Sequence, residues 1–124
     1  MNPGITVAIP VGPLPAHRHW LLEAVESVRA QTTRANILII DDMADVPRYF
    51  GGDWRLWEVR DADPAKNLDP GIEHCWDGSL AGCYLWAAPW RLGVAHAFNF
   101  GVALAPDDLV FMLGADDELE PECL

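Results

Sequence analysis

Basic residues are scarce in this chain of 124 residues. One lysine, Lys66, and seven arginines stand against 19 acidic side chains, for a net charge of −11. Residues 63–124 hold eleven acidic groups and only two cations, Lys66 and Arg91. Such a surface repels a phosphate backbone, which sets nucleic acid aside as a partner. A small phosphorylated ligand stays compatible with it, provided a cation comes too. Cysteine is also sparse. Cys75, Cys83 and Cys123 make an odd number in no recognisable framework, which suits a reducing compartment better than a secreted scaffold. Long apolar runs are missing. At the N-terminus the longest, Ile5 to Val11, is interrupted by Thr6 and Pro10, and no basic region precedes it, so neither a signal peptide nor a membrane span is expected. These absences together point to the cytoplasm.

Two nucleotide-related folds are excluded in the same way. No G-x-G-x-x-G follows the first apolar run, as a dinucleotide-binding domain requires. A phosphorelay receiver needs an acidic pair at that point and a late lysine; Pro10-Val11-Gly12-Pro13 stands there, and Lys66 is the only lysine.

What is present reads as a single α/β domain over residues 1–124. Ile5-Thr6-Val7-Ala8-Ile9, Ile37-Leu38-Ile39-Ile40 and Leu109-Val110-Phe111-Met112-Leu113 are short, nearly unbroken apolar runs. Runs of that kind predict strands covered on both faces, as in a mostly parallel sheet. Arg55 to Val59 alternates and predicts an edge strand. Leu21, Leu22, Val25 and Val28 form one stripe, and Val94, Ala97, Phe98, Gly101 and Val102 another, so a helix is predicted before the second and the last of the three runs. Strand–helix–strand alternation gives a Rossmann-like sheet with flanking helices. Residues 61–90, punctuated by Asp-Pro and Gly turns and carrying Trp76, Trp86 and Trp90, read as a long excursion folded over something. The tryptophans are expected in the core, with a stacking role against a sugar left open.

Two acidic pairs close strands. Asp41-Asp42 ends one, and Asp116-Asp117 follows another after Gly114-Ala115. Parallel sheets bind ligands beyond the carboxyl ends of their strands, where strand order reverses. With the first strand between them, the pairs would stand about 10 Å apart. One would suit the ribose or base of a nucleotide and the other a diphosphate bridged by Mg²⁺ or Mn²⁺, the cations that hard oxygen ligands prefer. The alternative for each pair is a helix or turn cap. Arg91 precedes a helix start, where amide groups favour anions, so it is a candidate for phosphate or else half of a surface ion pair. His17 and His19, at i and i+2, share no helical face and are read as solvated or capping. His74, Cys75 and Cys83 lack the spacing of a metal site, and His96 is read as a surface or pocket-wall residue.

Five segments in order resemble a family 2 glycosyltransferase: Ile5 to Val11; Leu22-Glu23-Ala24-Val25-Glu26-Ser27-Val28 with Gln31-Thr32; Ile39-Ile40-Asp41-Asp42; Gly93-Val94-Ala95 with Ala97, Asn99 and Gly101; and Phe111 to Leu119 with Pro121. The resemblance spans residues 5–60 and 91–124. It implies the nucleotide-binding half of a GT-A fold and a nucleoside-diphosphate sugar, most commonly a uridine diphosphate sugar, as donor to an acceptor it does not identify. Carried over by position, Pro10 and Val11 would line the nucleotide, Asp42 would meet the base with Asp41 beside it, Asp116 would reach the ribose and diphosphate, and Asp116 with Asp117 would hold Mn²⁺ or Mg²⁺. The sequence departs from the family pattern in three places. Gly114 stands for the first Asp of the D-x-D region, so the metal falls to Asp116 and Asp117. Phe98 stands for an arginine, for which Arg91 is the substitute. Leu124 ends the sequence before the acceptor-binding half that supplies the catalytic base, so no catalytic residue is assigned and a truncated enzyme is expected. A non-catalytic nucleotide-binding module, or an inactive remnant, is the alternative.

Overall fold

The computed structural model describes residues 4–13, 15–59, 71–88, 90–105, 107, 109–115, 117 and 119. Along them run β1 (Ile5–Val11), α1 (Pro15–Arg29), β2 (Asn36–Asp41), α2 (Val46–Phe50), β3 (Trp54–Val59), β4 (Gly71–Cys75), β5 (Tyr84–Ala87), α3 (Val94–Leu104) and β6 (Leu109–Met112). The six strands form one mixed sheet in the order β3-β4-β5-β2-β1-β6. β1 pairs in parallel with β2 and β6, and β2 in parallel with β5. β4 is antiparallel to both its neighbours, so it alone runs against the rest. The protein is therefore α/β, with a mostly parallel sheet.

Two of the apolar runs become the central strands β1 and β2, covered on both faces, whereas the third, expected to be covered likewise, becomes β6 at the edge of the sheet, with Leu109 exposed and Val110, Phe111 and Met112 half-buried. Val7, Ile9, Val11, Ile37, Ile39 and Leu85 pack beneath α1, through its Leu21, Ala24, Val25 and Val28. Alternate residues Leu38, Ile40, Ile72 and Trp86 point the other way and meet Ala97, Phe100 and Leu104 of α3. Trp86 is the tryptophan that enters this core, stacked on Phe100 with ring centroids 4.9 Å apart, while Trp76 and Trp90 are exposed. α3 lies close on β1 because Gly101 faces the sheet: a Cβ there would stand 3.0 Å from the Ala8 Cβ. At the amino ends of the strands, Asp107 Oδ2 accepts hydrogen bonds from Thr6 Oγ1 (2.7 Å) and Asn36 Nδ2 (3.0 Å), tying β1 and β2 to the segment that enters β6. Among the described residues, no helix is long and apolar enough to cross a membrane.

The expected excursion over residues 61–90 differs from what the chain does. Residues 71–75 and 84–87 are β4 and β5, and β5 lies beside β2 in the middle of the sheet. β4 is not visible as an apolar run, since it reads Gly-Ile-Glu-His-Cys with polar residues on each face, whereas β5 lies within the apolar stretch Cys83 to Ala88, which is part of the expected excursion. Residues 61–70 lie outside the described residues, as does Cys123.

Candidate functional site

β1 connects through α1 to β2 on one side, whereas β5 connects through α3 to β6 on the other side of β1. Strand order thus reverses between β1 and β6, and a crevice is expected at the carboxyl ends of that pair. Pro10 helps to open it. In a parallel strand, the amide and carbonyl of one residue face the same neighbour. Ala8 O accepts the Leu113 N–H (3.0 Å), so Ala8 and Pro10 face β6, while Val11 O faces β2 and accepts the Asp42 N–H (2.9 Å). Pro10 has no N–H to continue the ladder, and the last β1–β6 pair is Ala8 with Met112. β1 and β2 remain paired as far as Val11 and Asp41.

Asp41, the last residue of β2, is buried on the α1 side. Its Oδ1 accepts the Ala44 N–H (2.8 Å) and its Oδ2 the Val46 N–H (3.0 Å), so the carboxylate holds the turn that starts α2. This turn also needs left-handed backbone at Met43 and Asp45, with φ of 62° and 56°. Burial pushes the Asp41 carboxyl above its ordinary value of 3.8, against the opposing pull of the Val46, Ala44 and Asp45 amides. A carboxyl raised in the native state contributes stability that is complete below the unfolded value and is lost as pH rises through the native one. Asp41→Asn does not titrate. The wild type's advantage over this variant, read from denaturation midpoints, is therefore expected to be largest near pH 3.5 and to shrink toward neutrality; an advantage that grows with pH would contradict the assignment.

Asp42, one residue on, points to the α3 side and is 2% exposed. Its Oδ1 accepts the Leu92 N–H (2.6 Å), its Oδ2 accepts the Gly93 N–H (2.9 Å), and Oδ2 also pairs with Nη1 of Arg91. Gly93 permits this by adopting φ 81° and ψ 165°, a conformation open essentially to glycine alone, just before α3 begins. The anion at the start of α3 is thus the protein's own carboxylate, in the place the sequence offers to a phosphate. Arg91 keeps 49% of its side chain exposed beside it.

Asp117 is exposed on a turn closed by its own N–H to Gly114 O (3.0 Å). Ala115 is buried in the α1-side core, and the Leu119 N–H reaches Ser27 Oγ on α1 (3.0 Å). The chain after β6 therefore bends toward the α1 side, whereas Asp42 reaches to the α3 side. Asp41, Asp42 and Asp117 all follow the carboxyl ends of strands, on either side of β1. Asp116 lies outside the described residues.

The other sequence candidates separate. Cys75 and Cys83 are buried in the α1-side core, where burial pushes the Cys83 thiol up to about 12, while His74 shares the opposite face with Tyr84. His96 is exposed with Nδ1 against Leu92 O (3.1 Å), His19 is exposed beside Trp20, and nothing is described of the His17 side chain. Two features at the amino edge escape the sequence pattern: a ring cluster of Trp57, His74, Trp76 and Tyr84, and a cleft beside Arg34. Aromatic residues at alternate positions, His74 and Trp76, hint at the first. Compared with known proteins, the chain matches no family model, no curated protein and no solved structure.

Proposed function

We propose that this chain is the donor-binding part of a GT-A type, family 2 glycosyltransferase and takes a nucleoside diphosphate sugar at the carboxyl edge of its sheet. The observation that carries the reading is the end of β1–β6 pairing at Ala8 and Met112, ahead of Pro10, with the Asp42–Arg91 pair and the exposed Asp117 carboxylate both following the carboxyl ends of strands at this edge. Pro10, half-buried at the end of β1, would floor the nucleotide, whereas the Val11 side chain is fully buried in the α1-side core and offers only backbone there. Asp42 holds Arg91 at the rim, and the guanidinium nitrogens that do not face Asp42 can donate to a diphosphate oxygen or a base carbonyl.

A divalent cation would rest on Asp117 together with a bound diphosphate, since no group of three or more His, Cys, Asp or Glu side chains able to hold an ion stands among the described residues. Asp117 offers a hard oxygen donor, and Mg²⁺ and Mn²⁺ take one or two carboxylates when a diphosphate supplies the other ligands. Such an ion, when bound, neutralises the charge of a departing nucleoside diphosphate. Asp117→Ala is expected to keep the wild-type melting temperature without ligand, because the side chain is exposed, and to lose the part of the uridine diphosphate-induced thermal shift that depends on Mn²⁺. A shift in this variant equal to that of the wild type would remove the metal assignment. Gly114, at the first position of the D-x-D region, favours a second reading as a non-catalytic nucleotide-binding module. Stabilisation by uridine diphosphate that Mn²⁺ does not alter would support that reading over the first.

A further inference from the structure

A second site stands at the opposite end of the sheet. Where β2 and β5 begin, a cleft of about 670 Å³ opens between the end of α1, the chain leading into β2, and the turn before β5. That volume is of the size that holds a small organic ligand. Most of the polar groups on its wall serve the fold. Arg29 donates through Nη1 to Glu26 Oε1 (2.6 Å) and Ser79 O (2.9 Å), and through Nη2 to Ala81 O (2.6 Å), which pins α1 to the turn. Gln31 Nε2 donates to Ser27 O, and Asn36 Nδ2 to Asp107. Among the described residues, Glu26 and Asp107 are engaged in these contacts.

Two groups on the wall differ. Arg34 is exposed and has neither an ion pair nor a hydrogen bond with any described residue. The Tyr84 hydroxyl likewise has no hydrogen bond among the described residues, although its ring is held in place by His74, at a centroid distance of 4.5 Å, and by Trp57 at 5.5 Å. A charged fork at Arg34, in a cleft that Tyr84 also lines and that Val28, Ala35 and Ile37 border with apolar groups, makes a complementary surface for a ring or chain that ends in an oxyanion. In a protein of net charge −11, an anion gains from binding only where a cation is left uncompensated, and Arg34 supplies one.

We infer that the amino-edge cleft binds a small organic oxyanion, with Arg34 and Tyr84 on its charged end and the apolar wall against its body. The site is independent of the nucleotide reading, since no residue is shared between the two edges. The shared chemistry is the oxyanion, and two probes separate its sources: phenyl phosphate and benzoate, with benzyl alcohol as the uncharged control. Each is titrated into the ¹⁵N-labelled protein and followed by amide shifts. Saturable shifts at Arg34, Ala81 and Gly82 are expected with at least one of the two anions, and none with benzyl alcohol. The better of the two identifies a phosphate or a carboxylate site. Arg34→Gln, at an exposed position, is expected to keep the native spectrum and weaken binding about tenfold, the size of one charge-assisted contact. Tyr84→Phe is expected to weaken it less, by about threefold. Failure of both anions to shift these amides, equal shifts with benzyl alcohol, unchanged affinity in Arg34→Gln, or shifts confined to Asp42, Leu92 and Gly93 would each overturn the assignment.

Discussion

Asp42→Ala is expected to destabilise the protein by about 3 kcal/mol, lowering the melting temperature by about 12 °C for a domain of this size. The loss comes mainly from two backbone donors. With the carboxylate gone, the Leu92 N–H is buried and the Gly93 N–H half-buried, and neither has another partner among the described residues. An unsatisfied buried donor costs about 1–3 kcal/mol. The ion pair adds little, because Arg91 is 49% exposed and returns to water when its partner is removed. The two halves of the pair should therefore behave unequally. Arg91→Ala leaves both amides bonded to Asp42 and is expected to cost about 1 kcal/mol or less. Thermal denaturation of the two variants in parallel checks this. Equal losses would mean that the charge pair, and not the amide contacts, holds the 91–93 segment.

Gly101→Leu is expected to cost about 3 kcal/mol, read from a chemical denaturation midpoint, for an entirely different reason. The missing side chain at this position is what lets α3 lie against β1. A Cβ added there meets the Ala8 Cβ at 3.0 Å, the Met112 Cε at 3.4 Å and the Ile40 Cγ1 at 3.8 Å. Ala8 is fully buried and its Cβ cannot swing aside, so the helix must move, and a leucine adds three more carbons to the crowding. Gly101→Ala sets the same 3.0 Å approach against a helix-propensity gain of about 1 kcal/mol and is expected to lie near neutral. A leucine variant as stable as the wild type would show that α3 is not held at this distance. Displacing α3 also shifts its first turn and hence the amides that grip Asp42, so the packing of one glycine bears on the site.

The parts of this architecture that were legible in the sequence are those in which one physical cause dominates. β1 and β2 are buried on both faces and β6 is half-buried at the sheet edge, and the residues of all three are mostly apolar. α1 and α3 each bury one face, and their periodicity shows it. β4 was not legible, because His74 and Glu73 are polar residues in a strand partly covered on either side, while the apolar stretch Cys83 to Ala88 that holds β5 stands among turn residues and was read as part of an excursion. α2 is five residues long and is fixed by the Asp41 carboxylate and left-handed backbone, neither of which leaves a period to read. At the site, the aspartates at strand ends and Arg91 beside the start of α3 were legible as types and spacings. Their partners were not. That Asp41 spends both oxygens on its own turn depends on the left-handed backbone at Met43 and Asp45, and that Asp42 takes the Leu92 and Gly93 amides and Arg91 together follows from chain segments about 50 residues apart meeting at the sheet edge. The amino-edge cleft is harder still to foresee, since α1, the entry to β2 and the turn before β5 contribute to it separately.

Calorimetric titration of uridine diphosphate into the protein, once with Mn²⁺ and once with a chelator, tests most directly whether the carboxyl edge is a donor site. Saturable binding at one site, at least tenfold tighter with Mn²⁺ and lost in Asp117→Ala, is the predicted result. The absence of heat in both titrations, with the protein folded throughout, would contradict it.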